Sequence, residues 1–220
     1  MIIYKGVEFV STRCFIAGAG EYCGFFVPSR DDYIIAADGG YSELISRGII
    51  PDLVVGDFDS LGRVPDHPNI LQSPEEKDDT DMMIAVKQGF ARGCETFFID
   101  GGLGGRIDHT FANFQLLAYI AQRGAHGFIL GRDITVTAIN NSTISFNPVA
   151  SGRISVFCAG SKAEGVTLTG LKYQLDSATL AYDYPLGISN EFIGAPAAIT
   201  VCEGILIVMW TGGIEVFYAK

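Results

Sequence analysis

Thr96-Phe97-Phe98-Ile99-Asp100-Gly101-Gly102-Leu103-Gly104-Gly105-Arg106-Ile107-Asp108-His109 decides the fold of the first half of the chain. An apolar run of strand length passes through a glycine-rich turn into a long helical pattern. From Asp108 to Arg123, Phe111, Phe114, Leu117, Ala118 and Ile120 recur at helical spacing, and Gly124 stops the pattern. A continuous apolar run suits a strand buried on both faces of a parallel sheet. The glycines let backbone N–H groups approach an anion closely, and Arg106 adds a planar fork for phosphate oxygens. Asp108 is also well placed to cap the helix, and His109 to be a polar residue of its first turn. The stretch lacks the Gly-Lys-Ser/Thr ending of a Walker loop. It also does not stand in the first strand-helix unit, as a dinucleotide fingerprint would.

Outward from this stretch, the same texture repeats. Cys14–Ala17, Tyr33–Ala37, Leu53–Val55 and Gly127–Leu130 are further apolar runs, and helical patterns cover Tyr41 to Arg47 and Asp81 to Arg92. Alternation of this kind predicts an α/β layer with ligands at the carboxyl ends of the strands. The acidic motifs fall at those ends: Asp38-Gly39-Gly40, Gly56-Asp57-Phe58-Asp59-Ser60 and Lys77-Asp78-Asp79-Thr80-Asp81. In extended backbone, Asp57 and Asp59 point to one side and can share one Mg²⁺. A surface turn is the alternative there. For Asp38 and for Asp81, which opens a helix, the alternatives are plain capping and a favourable helix dipole.

After about Gly131 the pattern changes to period-two alternation with turn residues and no helix. The predicted fold is an N-terminal doubly wound, mostly parallel α/β domain over residues 1–132, followed by a C-terminal all-β sandwich over 133–220. With 220 residues, 48% hydrophobic and 18% charged, the chain has ample material for a core. Its net charge of −10, without a basic run, argues against nucleic-acid binding. Its most apolar late run, Ile205 to Trp210, is too short to span a bilayer, and Met1-Ile2-Ile3-Tyr4-Lys5 is no secretory signal. Five cysteines without metal-site spacing suit reduced thiols in the cytoplasm.

Taken in order and spacing, Asp38-Gly39-Gly40, Gly56-Asp57-Phe58-Asp59-Ser60, Asp78-Asp79-Thr80-Asp81 and Gly104-Gly105-Arg106-Ile107-Asp108-His109 resemble the thiamine pyrophosphokinase family. Gly187-Ile188-Ser189-Asn190-Glu191 is similar to that family's Ser-Asn motif, and Gly165 to Tyr173 to its strand-and-turn pattern. The resemblance implies transfer of diphosphate from ATP to the hydroxyl of thiamine, giving thiamine diphosphate and AMP with Mg²⁺. It implies a homodimer with shared active sites. Asp57, Asp59 and Asp81 would hold the metal. Asp38, Gly39, Gly40, Gly104, Gly105, Arg106 and Asp108 would bound the nucleotide, with Asp81 and Arg106 catalytic. Ser189, Asn190 and Trp210 would bind thiamine, although Trp210 equally suits the sandwich core. Two rivals stand beside this reading: a diphosphokinase for another alcohol, and a non-catalytic nucleotide- or thiamine-binding regulator.

Overall fold

The computed structural model describes residues 13–24, 28–59, 62–74, 76, 78–213 and 216–219. Ser60, Lys77 and the N-terminal Met1–Lys5 quoted above lie outside them. Two compact units result. One takes the described residues up to Asn113 together with Ile129–Arg132; the other takes Phe114–Phe128 and the described residues from Asp133 onward.

In the first unit the elements run β1 (Arg13–Ala17), β2 (Tyr33–Ala37), α1 (Gly40–Ser46), β3 (Leu53–Gly56), β4 (Ile70–Gln72), α2 (Asp81–Ala91) and β5 (Thr96–Asp100). Helix α3 (Ile107–Gln122) and β6 (His126–Leu130) are divided between the units. The strands stand in the order β6-β5-β1-β2-β3-β4, and the pairs β5–β1, β1–β2, β2–β3 and β3–β4 are parallel. Buried residues occupy every position of β5 and all but the first of β1, as a doubly covered sheet requires. Helix α2 packs on β1, β2 and β3, and Phe90 meets Phe97 with ring centroids 4.7 Å apart. Burying a side chain such as Phe15 or Phe97 contributes roughly 1.5–3 kcal/mol each. Gly40 starts α1 hard against β1, where any Cβ would clash with the carbonyl of Ala17. From β1 the chain builds outward through β2 and β3; β5 then returns to the other side of β1. The β1/β5 boundary is therefore the point where strand order reverses.

The second unit carries two antiparallel sheets. One has the order β12 (Gly187–Glu191), β9 (Arg153–Cys158), β14 (Ile205–Thr211), β7 (Ile134–Asn140). The other runs β11 (Leu175–Ala181), β10 (Lys162–Thr169), β13 (Ala197–Thr200), β8 (Thr143–Phe146), β15 (Val216–Ala219). Alternation of buried and half-buried positions along β9 and β8 gives each strand one core face. Phe146 on β8 meets Trp210 on β14 edge-on at 5.3 Å, so side chains of the two sheets interlock as in a sandwich. The fold class is the expected one: a mostly parallel α/β region followed by an antiparallel β region. Among the described residues, no helix is long and apolar enough to cross a membrane.

Candidate active site

The acidic motifs converge at the carboxyl ends of β2 and β3. Asp38 follows β2 in a left-handed conformation (φ 48°), and its N–H donates to the carbonyl of Val55 on β3 at 2.7 Å. Asp57 follows β3. The next residue, Phe58, is also left-handed (φ 64°) and buried, so the chain turns where extended backbone was expected. The N–H of Asp59 comes back to Oδ1 of Asp57 at 3.3 Å. Carboxylate oxygens of Asp38, Asp57 and Asp59 all lie within 4.8 Å of one another. Left-handed non-glycine residues cost about 1–3 kcal/mol each and gather at functional sites. Two of them shape this cluster.

Asp81 reaches the same end of the sheet through Ser73. The Ser73 N–H donates to the carbonyl of Gly56 at 3.0 Å, and its hydroxyl donates to Oδ1 of Asp81 at 3.2 Å. Neither helix takes its cap from the aspartates. Thr80 Oγ1 caps α2 by accepting from the N–H of Met83, and Gly39 is the N-cap of α1. Unit negative charges about 4 Å apart near a protein surface repel by roughly 4 kcal/mol per pair. A hard cation relieves that repulsion, and a donor set of carboxylate oxygens suits Mg²⁺. The residues therefore fit the metal.

At the switch point, the glycine loop after β5 is bonded to the segment after β1. N–H groups of Gly18, Gly20 and Glu21 donate to the carbonyls of Asp100, Gly101 and Leu103 at 2.8, 2.8 and 2.7 Å. Gly101 (φ 72°) accepts no side chain, because a Cβ would stand 2.7 Å from the carbonyl oxygen of Gly18. Arg106 ends the loop, fully exposed, and makes a two-pronged pair with Asp108 (Nε to Oδ1 3.2 Å, Nη2 to Oδ2 2.6 Å). The hydrogen bond from Arg106 holds the Asp108 carboxyl below the ordinary aspartate range. Asp108 Oδ1 also accepts from the N–H of His109 at 3.0 Å. Gly104 and Gly105 are left-handed (φ 75° and 61°).

The residues expected to meet thiamine lie in the β unit. Ser189 is exposed and left-handed (φ 60°), within the irregular pairing between Gly187 and Asn190. Its N–H donates to Ser155 Oγ at 3.1 Å. Asn190 is only 3% exposed. Its Oδ1 accepts from the N–H groups of Tyr173 and Glu191, both at 2.9 Å, and its Nδ2 donates to the Tyr173 carbonyl at 2.6 Å. It thus holds the Lys172-Tyr173 turn against β12. Trp210 is buried on Phe146, with its indole N–H on the carbonyl of Gly213 at 2.9 Å. Exposed Tyr173, Tyr182, Tyr184, Leu186 and Ile188 add aromatic and apolar surface in this unit.

Three features escaped the sequence reading. Ser73 is an ordinary loop serine by sequence. A phenylalanine carries no signal for left-handed backbone. Asp100 did leave a signal: an acid closing an otherwise apolar buried strand.

An open parallel sheet with carboxylates and an anion-suited glycine loop at its carboxyl ends, joined in sequence to a β-sandwich, defines a phosphate-transferring enzyme of two parts. Residues 27–129 match the family model described as thiamin pyrophosphokinase, catalytic domain, and residues 141–206 match thiamin pyrophosphokinase, vitamin B1 binding domain. The chain belongs to the thiamin pyrophosphokinase family. The thiamine pyrophosphokinase of Bacillus subtilis is 28% identical over 182 residues, covering 80% of this chain and 85% of its own. The crystal structure of thiamin pyrophosphokinase from Geobacillus thermodenitrificans superposes with a TM-score of 0.79 at 27% identity, covering 93% of this chain and 99% of that one. A thiamin pyrophosphokinase family protein from Enterococcus faecalis gives 0.78 at 28% identity, covering 92% and 100%. The activity is accordingly that of a thiamine pyrophosphokinase, a transferase using ATP.

Proposed function

We propose that residues 1–132 bind Mg²⁺-ATP and residues 133–220 bind thiamine, and that diphosphate passes between them. The observation that carries this reading is the convergence of Asp38, Asp57 and Asp59 within 4.8 Å at the ends of two parallel strands. Asp57 and Asp59, with Asp38 beside them and Asp81 oriented by Ser73, hold the metal. Bound Mg²⁺ supplies charge neutralisation for the phosphate oxygens. Gly39 and Gly40 bound the nucleotide on the side of α1. Gly105, where a Cβ would meet nothing within 4 Å, leaves room for phosphate oxygens beside Gly104, and Arg106, oriented by Asp108, meets the charge that grows on the transferring group. The thiamine hydroxyl attacks the β-phosphorus, the bond from that phosphorus to the oxygen bridging to the α-phosphate breaks, and AMP leaves. Asp81 accepts the hydroxyl proton.

On the β unit, Ser189 offers an exposed hydroxyl and Asn190 shapes the adjoining turn. Trp210 acts from within the sandwich core, where it is buried on Phe146. Exposed tyrosines suit the cationic thiazolium. The exposed set Tyr182, Tyr184, Leu186, Ile188 and Ile193 supports a homodimer whose sites draw on both chains. Five free cysteines suit a cytoplasmic enzyme.

The test is incubation with ATP, Mg²⁺ and thiamine, with product identification. Thiamine diphosphate and AMP in equal amounts are expected. ADP in place of AMP would mean transfer of one phosphoryl group and would overturn the assignment.

A further inference from the structure

We propose that Asp100 and Arg47 are positioning residues for the phosphates of ATP, acting as a clasp that holds the loop after β1 to the glycine loop after β5. The proposal rests on the nucleotide reading above and extends it to two residues outside the motifs that define it. Asp100 ends β5 at the point where strand order reverses, and it is fully buried. Its Oδ1 accepts from the N–H of Cys23 at 2.8 Å and of Gly101 at 3.1 Å. Its Oδ2 accepts from the thiol of Cys23 at 3.3 Å and faces Arg47 Nη1 at 3.8 Å. Arg47, at the end of α1, also lies 4.8 Å over the ring of Tyr22 and 2.6 Å from Glu43. Tyr22 in turn donates its hydroxyl to the carbonyl of Gly18. One carboxylate therefore joins α1, the 18–23 segment and the glycine loop.

The consequence for an anion follows from peptide geometry. In a trans peptide the N–H of a residue points opposite to the carbonyl before it. The carbonyls of Gly101 and Leu103 are turned toward the 18–21 segment and bonded there. The N–H groups of Gly102 and Gly104 are thereby aimed the other way, away from the 18–21 segment. Asp100 fixes the segment that imposes this orientation. A leucine would fill the strand end without the desolvation cost of a buried carboxylate, which raises the Asp100 carboxyl above the ordinary aspartate range. The acid therefore serves the arrangement of its partners.

The experiment compares Asp100→Asn, Asp100→Ala, Arg47→Lys and, as a control, Asp32→Asn. Asp32 is a second buried aspartate of the same unit, bonded to Arg13 and to the N–H of Ser29. Steady-state kinetics are measured with ATP and thiamine varied in turn, beside melting temperatures. Asp100→Asn keeps an oxygen for two N–H donors but loses the charge facing Arg47, so KM for ATP should rise about 3–10-fold with a melting temperature no lower than that of wild type. Asp100→Ala should raise it roughly 30-fold or more, and Arg47→Lys about as much as Asp100→Asn. KM for thiamine should stay within about twofold in all of them, and Asp32→Asn should lower the melting temperature without a selective ATP effect. An unchanged KM for ATP in Asp100→Asn and Arg47→Lys overturns the proposal, as does an equal rise for thiamine or the same ATP shift in Asp32→Asn. Asp57→Asn is run alongside. If it keeps wild-type turnover, the phosphate-transfer reading fails, a result separate from any obtained at Asp100.

Discussion

Asp57 and Asp59 are held together by a buried phenylalanine in left-handed backbone, and their like charges repel one another. Asp57→Asn and Asp59→Asn should therefore each cut turnover on the order of 100-fold or more at limiting Mg²⁺, yet keep or raise the metal-free melting temperature. Wild-type turnover in both would remove the metal from this cluster. Arg106 is engaged by Asp108 through a planar pair, so Arg106→Lys retains charge and loses the fork. A rise of about tenfold or more in KM for ATP is expected, with no change in urea midpoint because the pair is fully exposed. Asp100 makes the pH prediction. Its folded pKa is raised, so the ionised carboxylate opposes folding, and stability is lost as pH rises from the ordinary aspartate value toward the folded one. Thermal unfolding across that window should show Asp100→Asn gaining on wild type as pH increases. A constant difference would mean that Asp100 does not titrate with folding.

Elements were more legible than the residues between them. Strands β2 and β8 and helix α2 were readable because runs of buried residues and helical spacing bury one face or two, and burial is written in residue type. Strand β4 was not, since three residues, two of them exposed, leave no periodic trace. Strand β12 was quoted as a binding motif; its irregular pairing and the left-handed Ser189 break period-two alternation. In the site, the aspartates and glycines were visible as residue types. What brings them together was hidden, because Phe58 and Ser73 act through conformation and a hydrogen bond rather than through composition. Close packing supplies the element-scale prediction. Gly40→Ala pushes α1 off the Ala17 carbonyl and should cost about 1–3 kcal/mol in urea unfolding. An unchanged midpoint would show that α1 can shift freely.

For the whole molecule, the proposed dimer predicts complementation. Asp57→Asn disables the metal site, and Ser189→Arg sets a cation against a cationic substrate on an exposed position without disturbing the core. Each variant alone should be inactive. After subunit exchange at equal amounts, half the dimers are mixed and one of their two sites is intact, so about a quarter of wild-type activity should return. Mixed dimers confirmed by mass but inactive would place each site within one chain. A monomer of 23.6 kDa in solution would remove the dimer altogether.

The bonds from Gly18, Gly20 and Glu21 to the glycine loop are made between backbone groups of the protein itself. The ordering entropy of that loop is thus spent during folding rather than during association. Nucleotide binding should then resemble docking onto a finished surface, with a small heat-capacity change and an association rate governed by encounter. A loop tied down at Gly101 and Leu103 is also a poor lid. Whatever shields the reacting phosphates from water must come from another part of the molecule.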